Sequence, residues 1–131
     1  MSAEGAFEFL APAVRGFLVE TGITEPTPPQ VGAWPLISRG KDVLVVAPTG
    51  SGKTEAALLP LLSRLVLEGH GEGISLLYIT PMRALNRDML KRLQVWCAKL
   101  GLKVDIRHGD TPQVQRAKQS AYPPDVLVTT P

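Results

Sequence analysis

Apolar residues recur along this chain in two alternating rhythms, one near 3.6 residues and one continuous over short runs. Residues 7–21 carry the helical rhythm and end at Gly22, a natural helix stop. Pro28 and Pro29 suit the first turn of a second, short helix reaching Gly40, with Thr27 placed to cap it. Residues 42–47 are β-branched and apolar after Asp42, which predicts the first strand. A helix over 52–68 follows and closes at Gly69, and Pro60 inside it removes one backbone donor, so a local bend is expected there. The run 74–80 is apolar but for Ser75 and Thr80, which is read as burial on both faces of a parallel sheet and predicts a second strand.

The alternation continues to the last residue. A helix is predicted over 83–100, where Leu85, Met89, Leu93, Trp96 and Leu100 form one apolar stripe suited to core packing. Gly101 stops it, residues 103–107 make a third strand, 112–121 a short helix, and 125–129 a fourth strand. Strand, helix, strand, helix, strand, helix, strand implies right-handed crossovers and a mainly parallel sheet with helices on both faces, an α/β fold. In such sheets ligands gather beyond the carboxyl ends of the strands. The segments 47–54, 81–83, 108–111 and 129–131 all fall at that edge.

Composition narrows the class. With 131 residues, 44% hydrophobic and 20% charged, the chain suits one ordinary domain with a sizeable core. Its apolar stretches are broken by charge or proline, which excludes a membrane-spanning helix, and Glu4 and Glu8 stand where a signal peptide would be basic and then apolar. Cys97 is the single cysteine, which fits a reducing cytoplasm, and beside Trp96 on an amphipathic helix it reads as an inert half-buried thiol. Residues 1–82 hold five basic and eight acidic side chains, whereas 83–118 hold nine and three. Basic charge gathered in one stretch points to a polyanionic partner, although Arg87, Lys91, Arg92 and Lys99 describe the solvated face of a helix equally well.

The chemistry concentrates after the first predicted strand, where the chain reads Ala47, Pro48, Thr49, Gly50, Ser51, Gly52, Lys53, Thr54, Glu55. This is a phosphate-binding loop. Gly50 and Gly52 let the backbone turn so that a row of N–H donors surrounds phosphates, and the helix that follows adds its N-terminal dipole. Lys53 supplies an ammonium for the β and γ phosphates of a nucleotide, and the Thr54 hydroxyl is placed to ligate the accompanying Mg²⁺. The first loop position is Ala47, where the general pattern has glycine.

Four spaced segments together resemble one family, the DEAD/DEAH-box helicases of superfamily 2, over residues 22–131. The stretch GITEPTPPQ is similar to the glutamine motif, and the resemblance implies that Gln30 reads adenine, whose N6 and N7 edge needs an amide that both donates and accepts. Ala47 is the usual residue at the head of the loop in this family. PMRALNRD resembles motif Ia, which assigns Pro81 and Arg83 to the phosphate backbone of one nucleic-acid strand, a guanidinium being suited to two parallel hydrogen bonds. HGDT, with Gly109 and Asp110, sits where the family has a glycine-containing backbone contact, and Thr130 and Pro131 match the start of motif Ib. Asn86, Arg87 and Asp88, together with HGDT, are similar to the large helicase-related subgroup.

The resemblance implies a P-loop NTPase fold of RecA-like type, truncated, in which residues 1–131 are part of the ATP-binding domain and 1–40 its helical, glutamine-motif segment. Hydrolysis in this fold needs an acidic residue at the end of a further strand, and the sequence has no Asp-Glu pair. The family's DExH motif follows shortly after motif Ib, so the remaining helicase domains are expected outside these residues. The expectation is therefore a parent ATP-dependent helicase or translocase and a chain that does not itself hydrolyse ATP. Two other readings stand beside it: a P-loop ATPase or kinase without nucleic-acid contact, and a non-enzymatic nucleic-acid-binding module.

Overall fold

The computed structural model describes residues 4–69, 71–81 and 87–131, and it divides into two compact units, Met1–Gly69 and His70–Pro131. The first unit is helical. A 3₁₀ helix, Glu4–Phe9, precedes α1 (Pro12–Glu20), α2 (Pro28–Ser38) and α3 (Lys53–Glu68). The single helix expected over 7–21 is thus split. Ala11 precedes Pro12 and is held extended at φ −60° and ψ 147°, as proline forces on the residue before it, and α1 restarts with proline in its first turn.

α2 and α3 pack against each other, and Trp34 is the centre of that contact, with no exposed surface. Its ring tilts at 50° against Phe7 with centroids 5.6 Å apart, and its Nε1–H donates to the Glu55 carbonyl at 3.2 Å. Ser63, buried on α3, donates to the Leu59 carbonyl at 2.8 Å and accepts the Ala11 N–H at 3.0 Å, which fixes the start of α1 on the same helix. α3 is helical from Lys53 to Glu68 with Pro60 inside it, and the Pro60 ring is buried.

The predicted first strand is not formed: residues 41–48 carry no strand assignment. Their side chains still alternate as a strand's do. Val43 and Val45 pack on Ala33, Ile37 and Ala56, whereas Leu44 and Val46 are 89% and 87% exposed. A strand also needs a hydrogen-bonded neighbour about 4.8 Å away, and among the described residues none pairs with this segment. The pattern set the side-chain alternation, but pairing depends on a partner.

The second unit holds β1 (Leu76–Ile79), α4 (Arg87–Leu100), β2 (Val104–Arg107), α5 (Gln113–Ala121) and β3 (Val126–Thr129). The three strands make a parallel sheet in the order β1, β3, β2, so crossovers carry the chain between them. Leu77 of β1 lies opposite Leu127, and Asp105 of β2 opposite the same residue. β3, in the middle, is buried from Val126 to Val128, with Val126 and Val128 wholly so, and Thr129 at its end is half-buried. β1 departs from its expectation of burial on both faces, for Leu77 and Ile79 are 52% and 58% exposed.

α4 buries Met89, Leu93 and Trp96 of the predicted stripe and leaves Leu100 half-buried, buries Cys97 fully where the sequence predicts a half-buried thiol, and turns Arg87, Lys91, Arg92 and Lys99 to solvent. Arg92 lies over the Trp96 ring at 5.5 Å. Leu85 falls outside the described residues. Asp125 ties the sheet entrance together by accepting the Lys103 N–H at 2.8 Å.

Burial, and secondly the Asp125 charge, push the Cys97 thiol up to about 11. Its thiolate is therefore scarcer than that of a free cysteine by about a hundredfold at neutral pH, because each pKa unit is a factor of ten. Cys97 is expected to react with a thiol-specific dye only after denaturation. The sign of the pH effect is fixed too. The folded thiol stays protonated where the unfolded one ionises, so this group withdraws stability as pH rises from about 9 towards about 11, which a urea titration at several alkaline pH values would read.

Candidate nucleotide and nucleic-acid sites

In the first unit, residues 47–52 lead from the apolar segment into α3, and the two glycines supply the turn: Gly50 has φ 80° and Gly52 φ 79°, both left-handed. The Ser51 N–H and hydroxyl both reach back to the Pro48 carbonyl, closing the loop on itself. Gly52 caps α3, Lys53 is its first residue and lies exposed, and Thr54 and Glu55 follow half-buried in its first turn. The ammonium, the hydroxyl and the free N–H ends of a 16-residue helix therefore share one place. Ala47 is half-buried, while Pro48 and Thr49 are exposed.

Gln30 connects α2 to this loop. It is 5% exposed, its Oε1 accepts the Thr27 N–H at 3.0 Å, and its Nε2 donates to the Gly52 carbonyl at 3.2 Å. An amide has two donor hydrogens and two acceptor lone pairs, so one of each remains. Thr27, the cap of α2, closes a capping box with Gln30, and a side chain at Gly52 would come within 3.1 Å of its buried Oγ1. The remaining donor and lone pair of Gln30 beside two left-handed glycines and a lysine make a set that fits a nucleotide. An apolar groove of about 540 Å³ borders the same loop, between the Pro28 and Gly32 side of α2 and residues 43–48.

In the second unit the parallel strands bring their carboxyl ends to one edge. Pro81, the turn His108–Thr111, and Thr130 with Pro131 follow β1, β2 and β3 there. Pro81, Gly109, Asp110 and Pro131 are exposed, and Thr130 is half-buried. Arg83 falls outside the described residues.

The His108 turn is tightly made. The Thr111 N–H reaches the His108 carbonyl at 3.1 Å, the Thr111 hydroxyl accepts the His108 N–H at 2.9 Å, and His108 Nδ1 accepts the Asp110 N–H at 3.1 Å. Gly109 has no positive φ, and a Cβ there would meet nothing within 4 Å, so the turn itself does not require glycine. Among the described residues no helix is long and apolar enough to cross a membrane, and no three His, Cys, Asp or Glu side chains gather as a metal site.

Known proteins are similar to this chain. The chain is 40% identical to the Lhr helicase/probable uracil glycosylase of Mycolicibacterium smegmatis over 85% of its own length and 8% of that protein's. It is 38% identical to the Lhr helicase/uracil glycosylase of Escherichia coli over 95% of its length and 9% of that protein's. Among solved structures, the Mycobacterium smegmatis helicase Lhr bound to ssDNA and AMP-PNP superposes with a TM-score of 0.81 at 36% identity, covering 95% of this chain and 17% of that one. The RNA helicase Prp28 of Chaetomium thermophilum bound to ADP gives 0.76 at 30% identity, over 92% and 30%. The chain thus spans under a tenth of the first two relatives' length. Their RecA-like fold is the fold of this chain, and the Lhr-type likeness agrees with the HGDT and Asn-Arg-Asp signals. The DEAD/DEAH box helicase family model matches residues 27–131, from the capping threonine through the last strand, and the chain belongs to that family.

Proposed function

We propose that residues 1–131 form the nucleotide-holding and strand-gripping part of the first motor domain of an ATP-dependent helicase or translocase, with 1–40 as its glutamine-motif segment. The observation that carries this reading is the loop at 47–52, whose left-handed Gly52 is joined to Gln30 by a hydrogen bond. In it, loop amides and Lys53 hold the ATP phosphates, Thr54 ligates Mg²⁺, and the remaining donor and lone pair of Gln30 meet adenine. Arg83, with Pro81, Gly109, Asp110, Thr130 and Pro131, holds the backbone of a single nucleic-acid strand. Such contacts carry no base specificity. Closure of two motor domains on ATP would move that strand, and a reducing cytoplasm suits the lone buried thiol. Support comes from the relative solved with ssDNA and AMP-PNP.

Hydrolysis is assigned to groups outside this chain, because no Asp-Glu pair occurs in it to hold Mg²⁺ opposite Thr54. A fluorescent ATP analogue with Mg²⁺ is expected to bind the wild-type chain, and Lys53→Ala to weaken that binding about 10- to 100-fold, since charge-assisted hydrogen bonds to phosphate are lost. Equal binding by both would overturn the loop assignment. Turnover by the wild-type chain that disappears in Lys53→Ala would overturn the assignment of hydrolysis elsewhere.

A further inference from the structure

The basic residues between 83 and 118 are the natural candidates for direct phosphate contacts, but one of them is already engaged. Arg116, half-buried on α5, turns its guanidinium back onto the turn after β2. Its Nη2 donates to the His108 carbonyl at 2.8 Å and to the Gly109 carbonyl at 3.4 Å, and its Nε donates to the Thr111 carbonyl at 3.1 Å. One planar cation thus gathers three carbonyls of four consecutive residues. Three residues further along α5, Gln119, 6% exposed, donates to the Ile106 carbonyl at 2.9 Å and pins the helix to the end of β2.

Peptide geometry gives this grip a consequence on the opposite side. The chain contains no cis peptide among the described residues, so the C=O and N–H of each peptide unit point in opposite directions. Drawing the His108 carbonyl towards Arg116 therefore turns the Gly109 N–H away from it, at an exposed glycine with open space around its Cα. The Asp110 N–H is held within the turn by His108 Nδ1. The Gly109 amide is left as the outward donor, the carbonyl of its own peptide unit being bonded to the guanidinium.

We propose that Arg116 is a positioning residue for nucleic-acid binding: by holding the carbonyls of the His108 turn it aims the Gly109 N–H at a backbone phosphate, without touching the phosphate itself. The assignment rests on the reading of this turn as a strand contact. Lysine cannot replace it, because one ammonium on a flexible stem does not present the planar edges that meet three carbonyls at once.

The test uses the full 131-residue chain, wild type, Arg116→Ala and Arg116→Lys, titrated with a labelled oligothymidylate over a series of salt concentrations. Both variants are expected to bind about tenfold more weakly with the salt slope of the wild type, because a neutral amide releases no counterion. Recovery of affinity by Arg116→Lys, or a slope smaller by about one in Arg116→Ala, would show a direct phosphate contact and overturn the proposal. Amide NMR spectra of the free chains supply the second readout. The Gly109 and Thr111 resonances are expected to move in both variants while those of β2 and β3 stay in place. Unmoved turn resonances overturn the positioning role even where no oligonucleotide binds, and absence of binding by the wild type, with turn resonances that do move, overturns the strand-contact reading alone.

Discussion

Gly52→Ala is expected to abolish nucleotide binding at protein concentrations where Gly50→Ala still binds. Both glycines sit near φ 80°, so alanine at either position bears the left-handed strain of about 1 to 2 kcal/mol. They differ in what surrounds them. A Cβ at Gly50 meets nothing within 4 Å, whereas one at Gly52 collides with Gln30 Nε2 and approaches Thr27 Oγ1 to 3.1 Å. Gln30 must swing out, which breaks its bonds to the Gly52 carbonyl and the Thr27 N–H, each worth about 1 kcal/mol. The loss falls where the loop joins α3, and the amides proposed to bind phosphate depend on that backbone. Titration of a fluorescent ATP analogue against the two variants reads the difference. In a Gln30→Ala background the extra cost of Gly52→Ala over Gly50→Ala should shrink, since the nearest collision partner is gone and only the Thr27 contacts remain; an unchanged difference would mean that the Gln30 contact does not shape the loop.

That dependence marks the border of what the sequence discloses. The loop glycines, the lysine and the threonine are legible because their chemistry lies in the side chain, or in its absence, at fixed spacing. The α4 stripe is legible because Met89, Leu93 and Trp96 repeat at helical intervals, and the order of strands and helices follows from such rhythms. What a residue meets is another matter. Gln30 is visible as an amide suited to adenine, but its engagement with Thr27 and Gly52 needs the fold. Residues 42–47 show a strand's alternation in Val43, Leu44, Val45 and Val46, yet strand pairing belongs to two segments and cannot be read from one. Arg116 looks like any surface arginine, because its partners are carbonyls that every residue carries. Pro12 is the counter-example, a local rule that divides 7–21 into two helices and was open to reading.

Trp34→Ala is expected to cost the first unit about 3 to 5 kcal/mol, the range for deleting a large buried aromatic side chain. Trp34 has no exposed surface, and its removal empties the contact between α2 and α3, leaves Phe7 without its ring partner, and takes the Nε1–H from the Glu55 carbonyl. Small domains are stable by about 5 to 15 kcal/mol in total, so this one substitution is expected to bring the unit close to its unfolding midpoint. Trp34→Phe separates the two contributions. It keeps a ring against Phe7 and gives up the hydrogen bond with part of the volume, so its cost should be smaller by about half. The site feels the same change, because the Trp34 bond lands on the first turn of α3, two residues after Lys53. Urea unfolding followed by circular dichroism measures the stability, and the ATP-analogue titration measures the site. In the Phe variant, nucleotide affinity should fall while the helical signal holds, for the first turn of α3 then loses its tether but keeps its packing. Unchanged affinity in Trp34→Phe would show that the phosphate loop is positioned by Gln30 alone.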